Sequence, residues 1–377
     1  MQKSTKLLQL HGLINDPAHS TSMPIYQSAT FAGASIDDFG AYDYSRSGNP
    51  NRDVVETKLA ELEDAKHAFL FNSGIAAIHV VFELLCADDH IIVAEDLYGG
   101  THRLLNILPM KNISISYVDA TNATNITAAI NSKTKMVLIE TPSNPLQKII
   151  NLSQTSEICK KHNLLLALDN SLLSPWWQQP LKFGVDIVVH SATKHLSGHS
   201  DTTSGVICTN NDEVATKIKF LQNALGVALA PFDCWLLYRG LKTLPLRVKA
   251  SQENTLKLVE YLKTEPIIKQ IFYCGIESHP GFAVHKSQST GFGSVLSIDT
   301  GNTQLSKKIV DLSQLFTIAV SFGSLNSFIS MPVTMSHASV PKDKLVVPPS
   351  LIRLSIGIED VNDLIDDLKQ AIKAANI

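Results

Sequence analysis

The chain has 377 residues, of which 44% are hydrophobic and 18% charged, and a formal net charge of −3 at pH 7. This composition is typical of a globular protein with a large interior and excludes a disordered chain, and the length favours two or three domains. No cluster of lysine and arginine is dense enough to follow a phosphate backbone, so we expect no nucleic-acid partner and a small-molecule substrate.

The sequence carries no sign of export or of a membrane anchor. Its first residues, MQKSTKLLQLHGLIN, are interrupted by Gln9 and His11 and lack the apolar core of a signal peptide. No apolar stretch approaches the roughly 18 residues of a membrane helix. The five cysteines are widely spaced and contain no CxxC pair, which is typical of reduced thiols. We therefore expect a cytoplasmic protein without a membrane partner.

The first half of the chain has the pattern of an α/β protein. Residues 1–48 are rich in turn formers and predict an extended N-terminal arm, of the kind that reaches a neighbouring subunit. Across residues 49–235, apolar runs of strand length alternate with helical patterns, as in AFLFNS, IAAIHVVFELL and HIIVAE. This alternation predicts a mainly parallel sheet covered by helices, with ligands at the carboxyl ends of the strands.

Residues 236–377 are predicted to form a smaller α/β domain at the C-terminus. Long helices lead into it as far as Leu262, with an interruption near Pro245. The strand GFGSVLSID, a helix around Leu305–Leu315 and the strand LIRLSIG follow, and an amphipathic helix at Asp360–Ala374 closes the chain.

Two of the predicted strands end in residues with cofactor chemistry. Lys194 follows the strand DIVVHS and is flanked by Ser191 and Thr193, so its amine could hold a carbonyl cofactor covalently while the hydroxyls bind a phosphate. Asp169 ends the strand LLLALDN, where an acid could keep a pyridine nitrogen protonated. A lone lysine after a strand is ordinarily a solvated loop residue, and a lone aspartate is often a helix cap. The combination predicts pyridoxal 5'-phosphate.

Other residues complete this prediction. Gly74 lies between the strand AFLFNS and a helix, where backbone N–H groups bind phosphate. Tyr98 follows another strand and has a ring that could stack on a flat cofactor. Tyr44 and Arg46 lie on a polar loop, and the arginine suits a phosphate bound by another subunit. Arg353 has apolar neighbours in LIRLSIG and needs an anion, such as a substrate carboxylate.

The histidines do not predict a metal site. His195, His199 and His337 have no carboxylate partners at the spacing of a metal site. Structural histidines that satisfy local hydrogen bonds explain them more simply, so we expect no metal.

With these residues in view, the chain resembles the Cys/Met-metabolism family of pyridoxal-phosphate enzymes over essentially its whole length. The matching blocks are PIYQSATF, YDYSRSGNP, NSGIAAI, LYGGT, ETPSNP, LDNS, HSATKHLSGHSD and LIRLSIGIEDVNDL. Within the family it is most similar to the plant-type cystathionine β-lyases, through DNSLLSP, APFDCWL and AVSFGSLNSFISMP. The resemblance implies an aspartate-aminotransferase-like fold of type I and a homotetramer built from active dimers.

The resemblance also implies a role for each candidate residue. Lys194 would hold the cofactor and shuttle a proton, and Asp169 would pair with the pyridine nitrogen. Tyr98 would stack on the ring and act in catalysis, with its hydroxyl near the reacting amine. The cofactor would also be bound by the backbone of Gly74 and Ile75, by Ser191 and Thr193, by Asn144 near the ring hydroxyl, and by Tyr44 and Arg46 of the adjacent subunit. The substrate would be bound by Arg353 and Ser321 at its carboxylate, and by Val320 and Tyr44.

The implied reaction is β-elimination of L-cystathionine to homocysteine, pyruvate and ammonia, a step of transsulfuration and methionine biosynthesis. In γ-synthases and γ-lyases of the family a glutamate that can bind the distal amino group stands where this chain has Val320, and methionine γ-lyases usually have cysteine in place of Gly100. Both differences favour β-elimination. The alternatives are a cystathionine γ-lyase, γ-synthase or methionine γ-lyase, an aminotransferase, and a pyridoxal-phosphate-binding regulatory protein with little turnover.

Overall fold

The structure, a computed structural model, describes residues 1–10, 12–14, 16–336 and 346–376, and two β-sheets are found within them. The strands of the first sheet are β1 (His67–Phe71), β2 (His90–Ala94), β3 (Ser114–Val118), β4 (Thr134–Glu140), β5 (Leu165–Asp169), β6 (Ile187–His190) and β7 (Gly205–Thr209). Those of the second are β8 (Gln270–Phe272), β9 (Val295–Asp299), β10 (Thr317–Ile318), β11 (Phe328–Ser330) and β12 (Leu351–Ser355).

Helices cover both sheets. Those before β7 are α1 (Lys3–Leu8), α2 (Pro50–Glu63), α3 (Gly74–Phe82), α4 (Gly99–Leu105), α5 (Ala123–Ala129), α6 (Leu152–Lys161) and α7 (Ser174–Trp177). Those after it are α8 (Asp212–Ala224), α9 (Pro231–Leu241), α10 (Leu244–Leu262), α11 (Phe282–Gln288), α12 (Thr303–Leu312) and α13 (Val361–Ala375). No helix among the described residues is long and apolar enough to cross a membrane.

The first sheet has the strand order β1-β7-β6-β5-β4-β2-β3. Strands β2 to β6 run parallel, and β7 runs antiparallel between β1 and β6. The prediction of a mainly parallel sheet is therefore confirmed. The parallel register sets Glu140 beside Asp169 and Asp169 beside Val189, so the carboxyl ends of β4, β5 and β6 form one edge.

Apolar side chains on both faces hold this sheet in the interior. Ile91, Ile92 and Val93 of β2 have no exposed surface, and the same is true of Val188 and Val189 in β6. Each fully buried aliphatic side chain of this size stabilises the fold by about 1.5–3 kcal/mol relative to exposure. This burial fixes the strand ends, where the polar residues of the candidate site begin.

The second sheet has the order β10-β11-β12-β9-β8 and a core of its own. Strand β12 is central, and Arg353 lies opposite Ser330 on one side and Ser297 on the other. Helix α10 joins the two cores, because Val248 packs with the first and Leu258 with the second. The second sheet thus brings residues far along the sequence to the edge of the first.

Two helix predictions need correction, and a third is confirmed. The N-terminal segment is not wholly extended, because Lys3–Leu8 is helical and Leu7 is buried, with its carbonyl accepting a hydrogen bond of 3.1 Å from the Tyr238 hydroxyl. The predicted interruption near Pro245 is confirmed, because α9 ends at Leu241 and α10 begins at Leu244. Pro245 lies in the first turn of α10, where a missing N–H costs nothing. Helix α12 ends at Leu312, before the expected Leu315.

Candidate active site

A cavity of about 390 Å³ lies at the carboxyl edge of the first sheet, beside the second sheet. Part of its wall comes from residues at or after the carboxyl ends of β1, β2, β4, β5 and β6. The rest comes from residues 320–322, 335 and 336, together with Arg353 of β12. Of the predicted site residues, the cavity wall contains Gly74, Ile75, Tyr98, Asn144, Asp169, Ser191, Thr193, Lys194, Val320, Ser321 and Arg353.

Lys194 lies in the turn after β6 with its amine inside the cavity. The Lys194 Nζ donates a hydrogen bond of 2.8 Å to Ser321 Oγ. Burial lowers the pKa of the Lys194 amine to about 8, and the positive charge of Arg353 adds to this effect while Asp169 opposes it. About a tenth of the amine is therefore unprotonated at pH 7, the form that attacks a carbonyl carbon or accepts a proton.

Asp169 ends β5 at the base of the cavity. Its Oδ1 accepts hydrogen bonds from the Ser171 backbone N–H at 2.9 Å and from Ser171 Oγ at 2.6 Å. Burial raises the pKa of the Asp169 carboxyl, and the two donors of Ser171 oppose that rise. A protonated ring nitrogen is the type of partner that would keep this carboxylate ionised.

The start of α3 forms a small cradle with the turn after β6. Ser73 caps the helix by accepting a hydrogen bond from the Ala76 N–H at 3.1 Å. A Cβ atom at Gly74 would lie 2.7 Å from Ser191 Cβ, so only glycine fits this contact. Backbone N–H groups at the helix start and the hydroxyls of Ser191 and Thr193 line the same end of the cavity, a set of donors suited to phosphate.

Tyr98 immediately precedes α4, and its ring lies over Gly100. A Cβ atom at Gly100 would be 2.4 Å from Tyr98 Cε1 and 3.0 Å from Ile75 Cδ1. Glycine at position 100 therefore leaves the space that the Tyr98 ring occupies in the cavity wall. The ring face is suited to stacking on a planar ligand.

Arg353 has a buried guanidinium with only part of its donors used. Its Nη1 donates to Asn144 Oδ1 at 3.2 Å and its Nη2 to the Ser321 carbonyl at 2.8 Å, while Nε has no hydrogen-bond partner. The residue is 2% exposed, and burial lowers the pKa of its guanidinium to about 10. A buried cation with no paired carboxylate needs an anionic ligand, which a substrate carboxylate would supply.

Tyr44 and Arg46 do not lie at the cavity of their own chain. Tyr44 is 44% exposed, and the Arg46 Cζ lies 5.5 Å from the centre of the Tyr44 ring. The backbone carbonyl of Arg46 accepts a hydrogen bond of 3.2 Å from the buried Arg52 guanidinium, which fixes the loop. Their contribution to a neighbouring site stays a prediction.

The sequence analysis gave no role to several residues that the structure brings to the cavity. Phe322 lies 5.2 Å from Lys194 Nζ and 5.9 Å from Arg353 Cζ, measured from the ring centre. Glu140 and Arg103 also line the wall. The blocks ETPSNP and SFGS contained Glu140 and Phe322, but only the fold brings each of them beside groups distant in the sequence.

Two of the three histidines considered as metal ligands lie within the described residues. Burial, together with the charge of Arg247, lowers the pKa of His195 to about 3. The His199 Nδ1 lies 2.6 Å from the Ser197 carbonyl. His337 lies outside the described residues. Among those residues no group of three or more histidine, cysteine or acidic side chains is arranged to hold a metal ion.

The cavity fits pyridoxal 5'-phosphate on the features of this chain alone. Four groups suited to this cofactor surround one space. They are a partly neutral lysine, an acid at a strand end, a helix start that only glycine can form against Ser191, and an arginine whose Nε has no partner. A mainly parallel sheet with these groups at its carboxyl edge defines a pyridoxal-phosphate-dependent enzyme of fold type I.

Comparison with known proteins gives the family. The sequence-family model described as "Cys/Met metabolism PLP-dependent enzyme" matches residues 4–373, and the chain belongs to this family.

Three similar proteins extend this comparison. A chloroplastic cystathionine β-lyase of Arabidopsis thaliana is 45% identical over 374 residues, covering 98% of this chain and 80% of the relative. A cystathionine β-lyase of Lactococcus lactis subsp. cremoris is 42% identical, covering 98% and 99%. The solved structure of a Lactobacillus plantarum cystathionine γ-lyase complexed with L-serine superposes with a TM-score of 0.96 at 40% identity, covering all of both chains.

Proposed function

We propose that this protein is a carbon–sulfur lyase that cleaves L-cystathionine by β-elimination to homocysteine, pyruvate and ammonia, with water consumed in releasing the ammonia. The names of the two curated relatives at 42–45% identity support the choice of substrate and reaction. Bound pyridoxal phosphate supplies an electron-poor ring that delocalises the charge left on the α-carbon when its proton is removed.

Three side chains carry the proposed chemistry. Arg353 binds the α-carboxylate with the donors that remain after its bonds to Asn144 and Ser321, and this holds the α-carbon near Lys194. The Lys194 amine, once released from the cofactor, accepts the α-proton at Nζ. A pKa of about 8 suits an amine that must both accept and return a proton near neutral pH.

The remaining groups hold the cofactor in the proposed site. Asp169 pairs with the ring nitrogen, Tyr98 stacks on the ring face, and Asn144 lies near the ring hydroxyl. The phosphate is bound by groups at the start of α3 and in the turn after β6 (backbone of Gly74 and Ile75, hydroxyls of Ser191 and Thr193). Their common position in the cavity wall supports this assignment.

The observation that carries β-elimination is the side chain at position 320. Val320 lines the cavity and is 56% exposed there, so the distal end of the substrate meets an apolar group without a charge for an ammonium. Gly100 supports the same reading, since a larger residue would displace the Tyr98 ring. Cystathionine γ-elimination, which yields cysteine and 2-oxobutyrate, is the second candidate, because the similar solved structure is named a γ-lyase.

We propose in addition that the active unit is a dimer within a homotetramer, with Tyr44 and Arg46 completing the phosphate site of the partner. Their exposure and their packing against each other support this role. The proposed domains are residues 1–48, 49–235 and 236–377, with α10 extending between the two cores. All five cysteines are free and four are buried, which supports a reducing compartment such as the cytoplasm.

The test is product identification with purified protein and L-cystathionine. We expect pyruvate and homocysteine from the parent protein and from a Lys249→Ala control, in which the removed amine lies over the Trp176 ring. We expect no keto acid from Lys194→Ala. Production of 2-oxobutyrate and cysteine would identify a γ-lyase and overturn the argument from Val320. Absence of any keto acid from the parent would favour a synthase or a regulatory protein.

A further inference from the structure

Glu140 is a buried acid in the sheet next to Asp169, the residue proposed to bind the ring nitrogen of the cofactor. It ends β4 directly beside Asp169 of β5, is 6% exposed, and lines the cavity. The fold therefore brings a second carboxyl group to the space where Asp169 alone was expected. The proposed function uses Asp169 and gives Glu140 no task.

Glu140 holds the start of two loops at once. Its Oε2 accepts a hydrogen bond of 3.0 Å from the backbone N–H of Tyr98, in the loop after β2. The backbone N–H of Asn144, in the loop after β4, also interacts with this carboxyl and opposes the rise of its pKa. The Tyr98 side chain makes no capping hydrogen bond at the start of α4, so the bond to the Glu140 carboxyl is what fixes the backbone of this turn.

The connection continues to the substrate side of the cavity. Asn144 Oδ1 accepts the hydrogen bond of 3.2 Å from Arg353 Nη1. A displacement of the Asn144 backbone would therefore move the acceptor that orients the guanidinium. Through the backbone amides of Tyr98 and Asn144, and through the Asn144 side chain, Glu140 is linked to the ring of Tyr98 and to Arg353.

The charges around Glu140 favour its protonated form. Burial and the neighbouring carboxylates of Asp169 and Asp96 hold the pKa of Glu140 well above its usual range. Asp96 itself accepts a hydrogen bond from the Ser143 hydroxyl, and the nearby cation Lys148 pairs with Glu95 at 2.7 Å. A neutral carboxyl group can accept both backbone bonds without adding a negative charge beside Asp169.

We propose that Glu140 is a positioning residue, whose carboxyl group fixes the backbone of Tyr98 and of Asn144 and thereby sets the position of the stacking ring and of the substrate arginine. This inference rests on the cofactor site of the proposed function and deepens it. It predicts that an uncharged acceptor of the same length can replace the glutamate, whereas a side chain without an acceptor cannot.

The experiment compares Glu140→Ala and Glu140→Gln in the holoenzyme. Three quantities are measured: the rate of cofactor release into buffer, hydrogen exchange of peptides covering residues 95–101 and 141–148, and KM and kcat for cystathionine. The control is Asp186→Ala, which removes an acid that accepts a hydrogen bond of 2.8 Å from the Leu166 N–H at the opposite end of the same sheet.

We expect Glu140→Ala to release cofactor about tenfold faster, to speed exchange in both peptides and to raise KM about tenfold, as lost hydrogen bonds to two loops predict. Glu140→Gln should stay within about threefold of the parent in each quantity. Asp186→Ala should lower the denaturation midpoint and leave cofactor release unchanged.

The inference is overturned if Glu140→Ala keeps the parent rate of release and the parent KM, or if Glu140→Gln is as impaired as Glu140→Ala. Should the alanine variant fail to fold, Glu140→Asp takes its place, because a side chain shorter by one methylene cannot reach both amides. Cofactor release and hydrogen exchange need no substrate, so a wrong choice of substrate would leave these two results intact.

Discussion

The Lys194 amine is held by the Ser321 hydroxyl at 2.8 Å, although 127 positions separate the two residues in the sequence. Lys194 follows β6 of the first sheet, and Ser321 lies between β10 and β11 of the second. Ser321 has a φ of 113°, a value that residues other than glycine rarely adopt. The loop after β10 thus fixes the position of the proposed catalytic amine through a residue whose backbone is itself strained.

Removing this hydroxyl should slow turnover more than it weakens binding. We expect Ser321→Ala to lower kcat by about tenfold, because one hydrogen bond to a charged or partly charged amine contributes about 1.5 kcal/mol. Steady-state kinetics with cystathionine measure the effect. Ser324→Ala is the control, since the Ser324 hydroxyl bonds only to Ser200 Oγ in an exposed pair. Equal kcat in the parent and Ser321→Ala would show that the hydroxyl does not position the amine.

Replacing Arg353 by lysine should raise KM far more than it lowers kcat. A lysine cannot reach both the Asn144 side chain and the Ser321 carbonyl and still present a planar pair of donors to a carboxylate. We expect Arg353→Lys to raise KM by about thirtyfold, which corresponds to about 2 kcal/mol. Arg239→Lys, on the exposed side of α9, controls for the substitution itself. An unchanged KM would remove Arg353 from the carboxylate site.

A side chain at Gly100 should disturb the cofactor through the Tyr98 ring. The chain offers a matched control, because a Cβ at Gly275 would lie 2.5 Å from Tyr273 Cε1, much as one at Gly100 would lie 2.4 Å from Tyr98 Cε1. We expect Gly100→Ala and Gly275→Ala to lower the melting temperature to a similar degree. Only Gly100→Ala should change the absorption spectrum and the affinity of the bound cofactor. A shared spectral change would contradict the role of the ring.

The lowered pKa of Lys194 predicts a dependence of stability on pH in the cofactor-free protein. The folded pKa is about 8 and the ordinary value is 10.5, so between these values the unfolded chain binds more protons and stability rises with pH. Below pH 8 the buried charge costs about 3 kcal/mol.

Lys194→Met should therefore be more stable than the parent at pH 7, by up to about 3 kcal/mol, with the gap closing as pH approaches 10.5. Denaturant unfolding of the cofactor-free proteins at pH 7 and pH 10 measures the gap. Lys249→Met, at an exposed amine, should show no such trend. A gap that is the same at both values of pH would exclude the pKa shift as its cause.

Mixed oligomers should reveal whether Arg46 acts in the partner's site. Lys194→Ala and Arg46→Ala should each be nearly inactive alone. In a dimer of one chain of each kind, one site lacks both side chains and the other has both, so co-expression should restore about a quarter of the parent activity. If Arg46 acted within its own chain, mixing would restore none.

The sequence was sufficient for the features that depend on local patterns. Apolar runs of strand length predicted the strands that are buried on both faces, and the polar residues just after them included Lys194 and Asp169. These residues could be found because a parallel sheet collects its strand ends at one edge. The match to the sequence family then identified the cofactor without any structural information.

Other features depend on contacts that no local pattern records. The strand GVICT reads like its parallel neighbours, yet β7 runs antiparallel between β1 and β6. The role proposed for Glu140 rests on backbone amides, which leave no mark on residue identity. Lys3–Leu8 is too short for periodicity to identify, and its place is set by burial of Leu7 against the first domain.

The position of Arg353 on β12 has a consequence for the growing chain. The cofactor-facing residues proposed between Gly74 and Lys194 are all synthesised before Arg353, the residue proposed to bind the amino-acid carboxylate. The ribosome therefore completes the part of the pocket that faces the cofactor well before the part that selects a substrate. Until the central strand of the second sheet has paired with its neighbours, the nascent protein has Lys194 and Asp169 but lacks both the arginine for the amino-acid carboxylate and the charge that helps to lower the pKa of the Lys194 amine.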